Sequence, residues 1–445
     1  MTVDATVEYW LAPTDAATAQ AKYQLSDTDD IPGPHTHRLF FYKNHARKAD
    51  FMPTEKLVAA LRKIIDQYPI IAGRIVCTED GALEVHPSAK GVHYRESHTA
   101  DDIALFEPDW PQSSMRDEWA AVSWLEGEDV AFAVHVVRFA NNSGVLVCQS
   151  GHHQIADGTG WSMLLRAWAA FARGETPPPP EHNRHLLRLG PTERHLVRKP
   201  SADKPSWETI YLKPVGAVSA IILRFSADSI ARLKQDAVDS LSEEERRTSF
   251  FSTNDVVCSV LWRAFIRSRR LPHEQRLAKQ TPRNMRAHLH DVPSHYFGNA
   301  IDSPEFVATA GELLDSSLGR VALRHREAVH GKAFADGREW IKHANAEGVE
   351  ALINRETVWK NGIDFLTTDW SRFGYYKQMD FGDGNPVSSR RLVCKQMSIT
   401  TIMESPPSTQ SGNGRSLDVS VAIDTACYER MIADDELAKY ITVIG

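Results

Sequence analysis

The chain has no two cysteines close enough in sequence to read as a metal knuckle. Its five, Cys77, Cys148, Cys258, Cys394 and Cys427, stand far apart. That spacing excludes a zinc-ribbon pattern and a dense disulfide framework, and leaves reduced, mostly core thiols as the expectation. Long apolar stretches are missing too, with no run of about 18 apolar residues anywhere. The opening MTVDATVEYWLAPTDAATAQ carries acids and no basic segment leading into an apolar one. A soluble, cytoplasmic protein is expected, with no membrane association. Positive charge is not in excess either, since 51 Lys and Arg face 58 Asp and Glu for a net charge of −7. With the basic residues scattered, no nucleic-acid partner is expected, and the ligand should be a small molecule.

What the chain does have is length and apolar material: 445 residues, 42% of them hydrophobic, enough for two cores. Arg38 to Tyr42 (RLFFY) reads as a buried strand, and from Thr54 to Tyr68 the residues Leu57, Leu61, Ile64 and Ile65 recur at helical spacing until Pro69 stops them. Val130 to Phe139 and Gly144 to Cys148 are β-rich runs joined by Asn-Asn-Ser, the chemistry of a hairpin turn. After Gly160, Trp161, Leu164, Leu165, Trp168 and Phe171 mark a helix that Gly174 ends. A stretch rich in proline and charge follows, TPPPPEHNRHLLRLG, and reads as a linker over 176–209 between domains 1–175 and 210–445. In the second domain Ser252-Thr253-Asn254-Asp255 opens a helix with a capping box, and Leu417 to Ile423 reads as a strand. Non-local strands mixed with helices, without a fixed-period repeat, indicate an α/β class.

Between the hairpin and the Trp161 helix stands SGHHQIADG, residues 150–158. Three uses of His152, His153 and Asp157 compete. Both histidines can satisfy backbone groups at a strand end while Asp157 caps the helix. Imidazole and carboxylate can ligate a metal, although neighbouring residues on a strand point to opposite faces, so only one histidine joins Asp157. The third use is general-base catalysis by one histidine in a cleft. No Gly-x-Ser-x-Gly elbow or recognisable nucleophilic cysteine accompanies the motif, so direct attack by an acceptor is simpler than a covalent enzyme intermediate.

His153-x-x-x-Asp157-Gly158 resembles the HxxxD motif of the BAHD acyltransferases, and Asp380-Phe381-Gly382-Asp383-Gly384 resembles their second signature, DFGWG. Further similar segments follow in family order: Leu25 to Asp29, Tyr68 to Arg74, Ser252 to Asp255, Asn284-Met285-Arg286, Tyr296 to Asn299, and Thr367 to Arg372. The chain looks most like the fungal branch, with enzymes of the trichothecene 3-O-acetyltransferase type. Asp380-Phe381-Gly382 does not read as a kinase magnesium motif, because no Gly-rich loop, VAIK-like lysine or HRD-like loop accompanies it.

The resemblance implies two chloramphenicol-acetyltransferase-like domains, each a mixed β-sheet flanked by helices, with the active-site channel between them. It implies transfer of an acyl group, acetyl or another short one, from acyl-CoA to a hydroxyl or amine of a small secondary metabolite by a monomeric enzyme without a metal. His153 would be the general base and His152 would face away. Asp157 would pair with Arg286 and hold the loop, and Trp370 would donate its indole N–H to the oxyanion. Ser252, Thr253, Thr368 and Arg372 are the expected coenzyme contacts, and Asp380 and Gly382 structural positions. Asp383 departs from the family tryptophan, so that loop must pack differently. Rival readings are a carrier-protein condensation enzyme, a CoA-independent cyclase or isomerase of the same fold that uses His153 as acid or base, and a non-catalytic binder.

Overall fold

A computed structural model describes residues 5–30, 35–79, 82–122, 130–188, 218–331, 365–392, 399–410 and 414–445. Two mixed sheets dominate. The first is assembled from β1 (Ala5–Leu11), β2 (His35–Lys43), β3 (Val92–His98), β4 (Phe132–Arg138) and β5 (Gly144–His152). The second uses β6 (Val218–Phe225), β7 (Arg276–Gln280), β8 (Glu305–Thr309), β9 (Phe365–Asp369) and, beyond β10 (Ser388–Arg391), β11 (Ile399–Glu404), β12 (Leu417–Asp424) and β13 (Thr442–Ile444). Strand order is β1-β3-β4-β5-β2-β10 in the first and β8-β7-β9-β11-β12-β6-β13 in the second. The α/β class with two sheets flanked by helices, as expected, is what the chain adopts.

Local chemistry explains the elements that bracket the histidines. The hairpin of β4 and β5 turns at Asn141 and Asn142, which both take positive φ, a conformation asparagine tolerates better than most residues. Strand β5 is buried from end to end. It lies between β4 and β2, and its two faces meet different layers. Phe40, Val134, Val136, Val145 and Val147 face helices α1 (Thr54–Gln67) and α2 (Gly158–Ala172). Leu39, Phe41, Val137, Leu146 and Cys148 face a cover built from Phe106, Trp110 and Trp119. An Asp157 side chain that accepts from Gly160 N at 2.8 Å starts α2, which is the helix cap its position suggested.

Strand β10 comes from far down the chain, yet it pairs antiparallel with β2 and completes the first sheet. Phe381 just before it is buried against Tyr42 and Trp168, and the Tyr42 hydroxyl donates to Met379 O at 2.8 Å. The second half of the chain thus sends one segment back onto the first core. Residues 189–209 of the expected linker and its boundary near Ile210 lie outside the described residues. The described part folds back instead of hanging free: Arg184 is buried and donates to Asp29 Oδ2 at 2.9 Å and to Ile155 O at 2.8 Å. In the second layer α3 (Ala227–Asp239), α4 (Thr253–Arg269) and α5 (Leu318–His330) pack on the sheet around Trp262 and Phe265.

Candidate active site

Strand β5 ends at His152, and the Ile155 N–H closes a turn onto His152 O at 3.0 Å, so His153 occupies the first corner of that turn. The two histidines diverge there. His152 is 7% exposed, sits edge-on to the His35 ring at 4.8 Å, and its Nδ1 accepts from Gln154 N at 3.2 Å. His153 is partly exposed, and its carbonyl accepts from Asn299 Nδ2 at 2.8 Å. The His153 Nδ1 is buried without a hydrogen-bond partner of good geometry, while the residue's own carbonyl acts on the ring. Burial holds the His153 ring below the ordinary histidine pKa, and the charge of Arg38 adds to the depression; its own carbonyl and Asp157 oppose it. At neutral pH the ring is uncharged.

Asp157 is engaged away from that ring. Its carboxylate forms a two-pronged pair with Arg286, Nη1 to Oδ2 at 2.7 Å and Nη2 to Oδ1 at 3.1 Å, and also accepts from the backbone of Gly160 and Ala300. Arg286 in turn donates to the carbonyls of Tyr296 and Gly298 and to Asn284 Oδ1. Burial works against the ionised carboxylate, but Arg286 and the two N–H donors outweigh it and hold the Asp157 pKa below the usual aspartate value. A parallel lock stands next to it. Asp29 accepts from the backbone and side chain of Asn299, from Ser26 and from Arg184, and Thr28 donates to Asn299 O at 2.6 Å. Asn299 therefore ties Asp29 to the turn that carries His153. The roles of Asp29, Asn299 and Arg184 were not read from the sequence, although the first two fell inside similar segments.

Trp370 follows β9, and its backbone N–H donates to Ile402 O at 2.8 Å. Its ring lies under two guanidinium groups, with the Arg38 carbon 4.6 Å and the Arg391 carbon 5.5 Å from the centroid. Neither arginine was singled out by sequence reading; a charged residue inside the apolar run RLFFY was the available signal for Arg38. Thr368 is partly exposed on β9 beside Thr401, and Arg372 is exposed. Ser252 is the cap of α4, exchanging hydrogen bonds with Asp255 in the capping box, and Thr253 begins the helix. Asp380 organises its loop by accepting from the N–H groups of Gly382 and Gly384, whose φ values of +100° and +108° suit glycine alone. Asp383, in the place of the family tryptophan, pairs with Lys56 of α1 at 3.3 Å. Among the described residues no three His, Cys, Asp or Glu side chains gather as a metal-holding group. No helix among them is long and apolar enough to cross a membrane.

A family model described as the Transferase family matches residues 1–431. The chain belongs to the Transferase family. Its curated relatives include a hydroxycinnamoyltransferase of Narcissus pseudonarcissus, 29% identical over 369 residues that cover 80% of this chain and 83% of the relative. A 3'-N-debenzoyl-2'-deoxytaxol N-benzoyltransferase of Taxus canadensis is 25% identical over 442 residues, 96% of this chain and 94% of that one. Among solved structures, vinorine synthase superposes with a TM-score of 0.76 at 19% identity over 99% of this chain and 98% of its own. TRI101 of F. sporotrichioides, complexed with coenzyme A and T-2, gives 0.73 at 18% over 96% and 100%. These structural likenesses establish the fold that this member of the Transferase family shares. Taken with the family and its curated relatives, the protein is an enzyme, an acyltransferase.

Proposed function

We propose that the enzyme moves a short acyl group, acetyl foremost, from acyl-CoA to a hydroxyl or amine of a small secondary metabolite, with His153 as general base. The observation that carries this reading is the separation of tasks at the turn: Asp157 is fully engaged with Arg286, while burial keeps the partly exposed His153 ring neutral. In the proposed step that ring takes the acceptor proton as the acceptor oxygen or nitrogen attacks the thioester carbonyl. The tetrahedral intermediate then collapses, the C–S bond breaks, and the proton passes to the departing thiolate. Trp370 serves as the indole N–H donor to the oxyanion. Ser252, Thr253, Thr368 and Arg372 are proposed coenzyme contacts, and Asp380 and Gly382 shape their loop.

The division into 1–175, 176–209 and 210–445 with a channel between the domains, the monomeric state and the cytoplasmic setting belong to the same proposal. Coenzyme A in the F. sporotrichioides complex supports the choice of donor, and T-2 in that complex supports a small-molecule acceptor. The fungal branch remains our reading from the motifs; the curated relatives named above are plant enzymes.

The test is release of free CoA thiol and a thermal shift with acetyl-CoA and longer acyl-CoAs, since a ligand bound only by the folded state stabilises it. Absence of any acyl-CoA binding overturns the reading in favour of a CoA-independent acid/base enzyme of the same fold. Loss of turnover with excess chelator revives a metal at His153.

A further inference from the structure

Arg38 and Arg391 stand directly opposite each other across the β2–β10 pair. Like charges at such positions repel, and sheets ordinarily avoid them unless something neutralises them. Arg38 is 2% exposed, yet its hydrogen bonds go only to neutral oxygens, Thr36 Oγ1 at 3.0 Å and Gln149 Oε1 at 3.1 Å, with the Tyr375 hydroxyl also beside it. Among the described residues its Nε has no partner, and neither has the buried Gln149 Nε2 next to it. Arg391 donates to Thr401 Oγ1. Among the described residues no carboxylate pairs with either arginine. Of the carboxylates nearby, Asp157 is held by Arg286, and Glu404 lies beside Trp370 at 3.8 Å from Arg415. Every other fully buried arginine of this first layer and its seam has an acid: Arg184 has Asp29, Arg286 has Asp157 and Arg390 has Asp418.

An uncompensated buried cation is costly, and a second guanidinium over the same aromatic ring adds repulsion that the cation–π attraction offsets only in part. A free donor beside each other free donor, with no acceptor to receive them, describes half of an anion site. Trp370 and Arg391 are partly exposed, which leaves the pair approachable from the Trp370 side. Resting on the function proposed above, which puts Trp370 at the thioester, we propose that Arg38 and Arg391 bind a carboxylate at the reacting end of a substrate. The planar fork of a guanidinium matches a carboxylate, and the coenzyme's phosphates lie at the far end of that molecule. The carboxylate belongs either to the acceptor or to the distal end of a dicarboxylic acyl group, and the two sources separate by experiment.

Binding titrations on the full chain use sodium malonate against matched sodium chloride, and malonyl-CoA against acetyl-CoA. Malonate should bind the parent and bind Arg38→Gln and Arg391→Gln about tenfold or more weakly, the loss of one charged hydrogen-bond pair. Acetyl-CoA should bind all three alike, which shows that the variants are folded. A preference for malonyl-CoA over acetyl-CoA that vanishes in the variants supports the proposal with the carboxylate on the acyl group. Equal binding of the two thioesters, with malonate binding retained, supports it with the carboxylate on the acceptor. Malonate that binds the parent no better than chloride does, or binds the variants equally well, overturns it. Should Arg38→Gln fail to fold, the partly exposed Arg391 carries the test, with Arg391→Lys expected to keep part of the malonate binding. Failure of acetyl-CoA to bind any of the proteins counts against the proposed function instead.

Discussion

The two polar regions beside the His153 turn are built on opposite plans. Around Asp157 and Asp29 each carboxylate oxygen meets donors, and the Arg286 guanidinium spends its N–H groups on one carboxylate, two carbonyls and one amide. Around Trp370 two arginines share a ring and, among the described residues, meet no acid. A saturated network has nothing left to offer a ligand and serves to fix geometry; an unsaturated one keeps its interactions for a molecule that arrives later. His153 stands between them, with its carbonyl held by the first region and its ring under the electrostatic influence of the second.

The contrast breaks most visibly at the base itself. His153→Ala should lower turnover by roughly 10²–10⁴-fold, the usual contribution of a positioned general base, with melting temperature and acetyl-CoA binding retained. His152→Ala, whose ring packs on His35, should affect packing far more than turnover. Thiol-release rates and thermal melts on both variants decide, and a dead His152→Ala beside an active His153→Ala reverses the assignment. In the saturated region the effect is on stability. Asp157→Ala or Arg286→Met leaves one buried charge alone and should cost about 3–5 kcal/mol in urea unfolding, with the double variant well short of the sum. A parent-like melt for Asp157→Ala removes the locking role.

The unsaturated region should show itself in the pH profile. Because burial and Arg38 depress the His153 pKa, the base is already neutral below the ordinary value of about 6.5, so the ascending limb of kcat belongs on the acid side of that value. Removing the cation in Arg38→Gln should move the limb upward, and a profile of kcat against pH for the two proteins measures it. An unchanged limb means that Arg38 does not act on the base. The smallest effect is expected at the departed second signature: Asp383→Ala should change stability by about 1 kcal/mol or less, since its pair with Lys56 is partly exposed. A larger loss shows that the acid does more than sit beside a lysine.

The hairpin, α1, α2 and the capped α4 follow from local chemistry and are present where the spacing put them, with α2 starting at the acid that caps it. The Asp157 and Arg286 pairing came from resemblance to a known family and is found as a two-pronged bond. The return of β10 onto β2 was not legible, because four residues, SSRR, carry no hydrophobic alternation and their partner strand is about 350 residues earlier. Arg184 was read as part of a polar linker; composition cannot tell a solvated arginine from one that finds a buried acid 155 positions away.

By itself the sequence indicated the α/β class, the bounds of α1 and α2, the capped start of α4, the strand that leads to His153 and the family, because these rest on local spacing and caps or on motifs in a fixed order. Beyond the Asp157–Arg286 pair that the resemblance implied, tertiary structure decided which charges are compensated. Asp29 and Asp157 are locked, Asp383 has found Lys56, and Arg38 with Arg391 shares the Trp370 ring and, among the described residues, meets no acid. Whether a charge is compensated depends on what lies within a few ångströms in space, and along this chain those neighbours are 129, 155, 327 and about 350 residues apart.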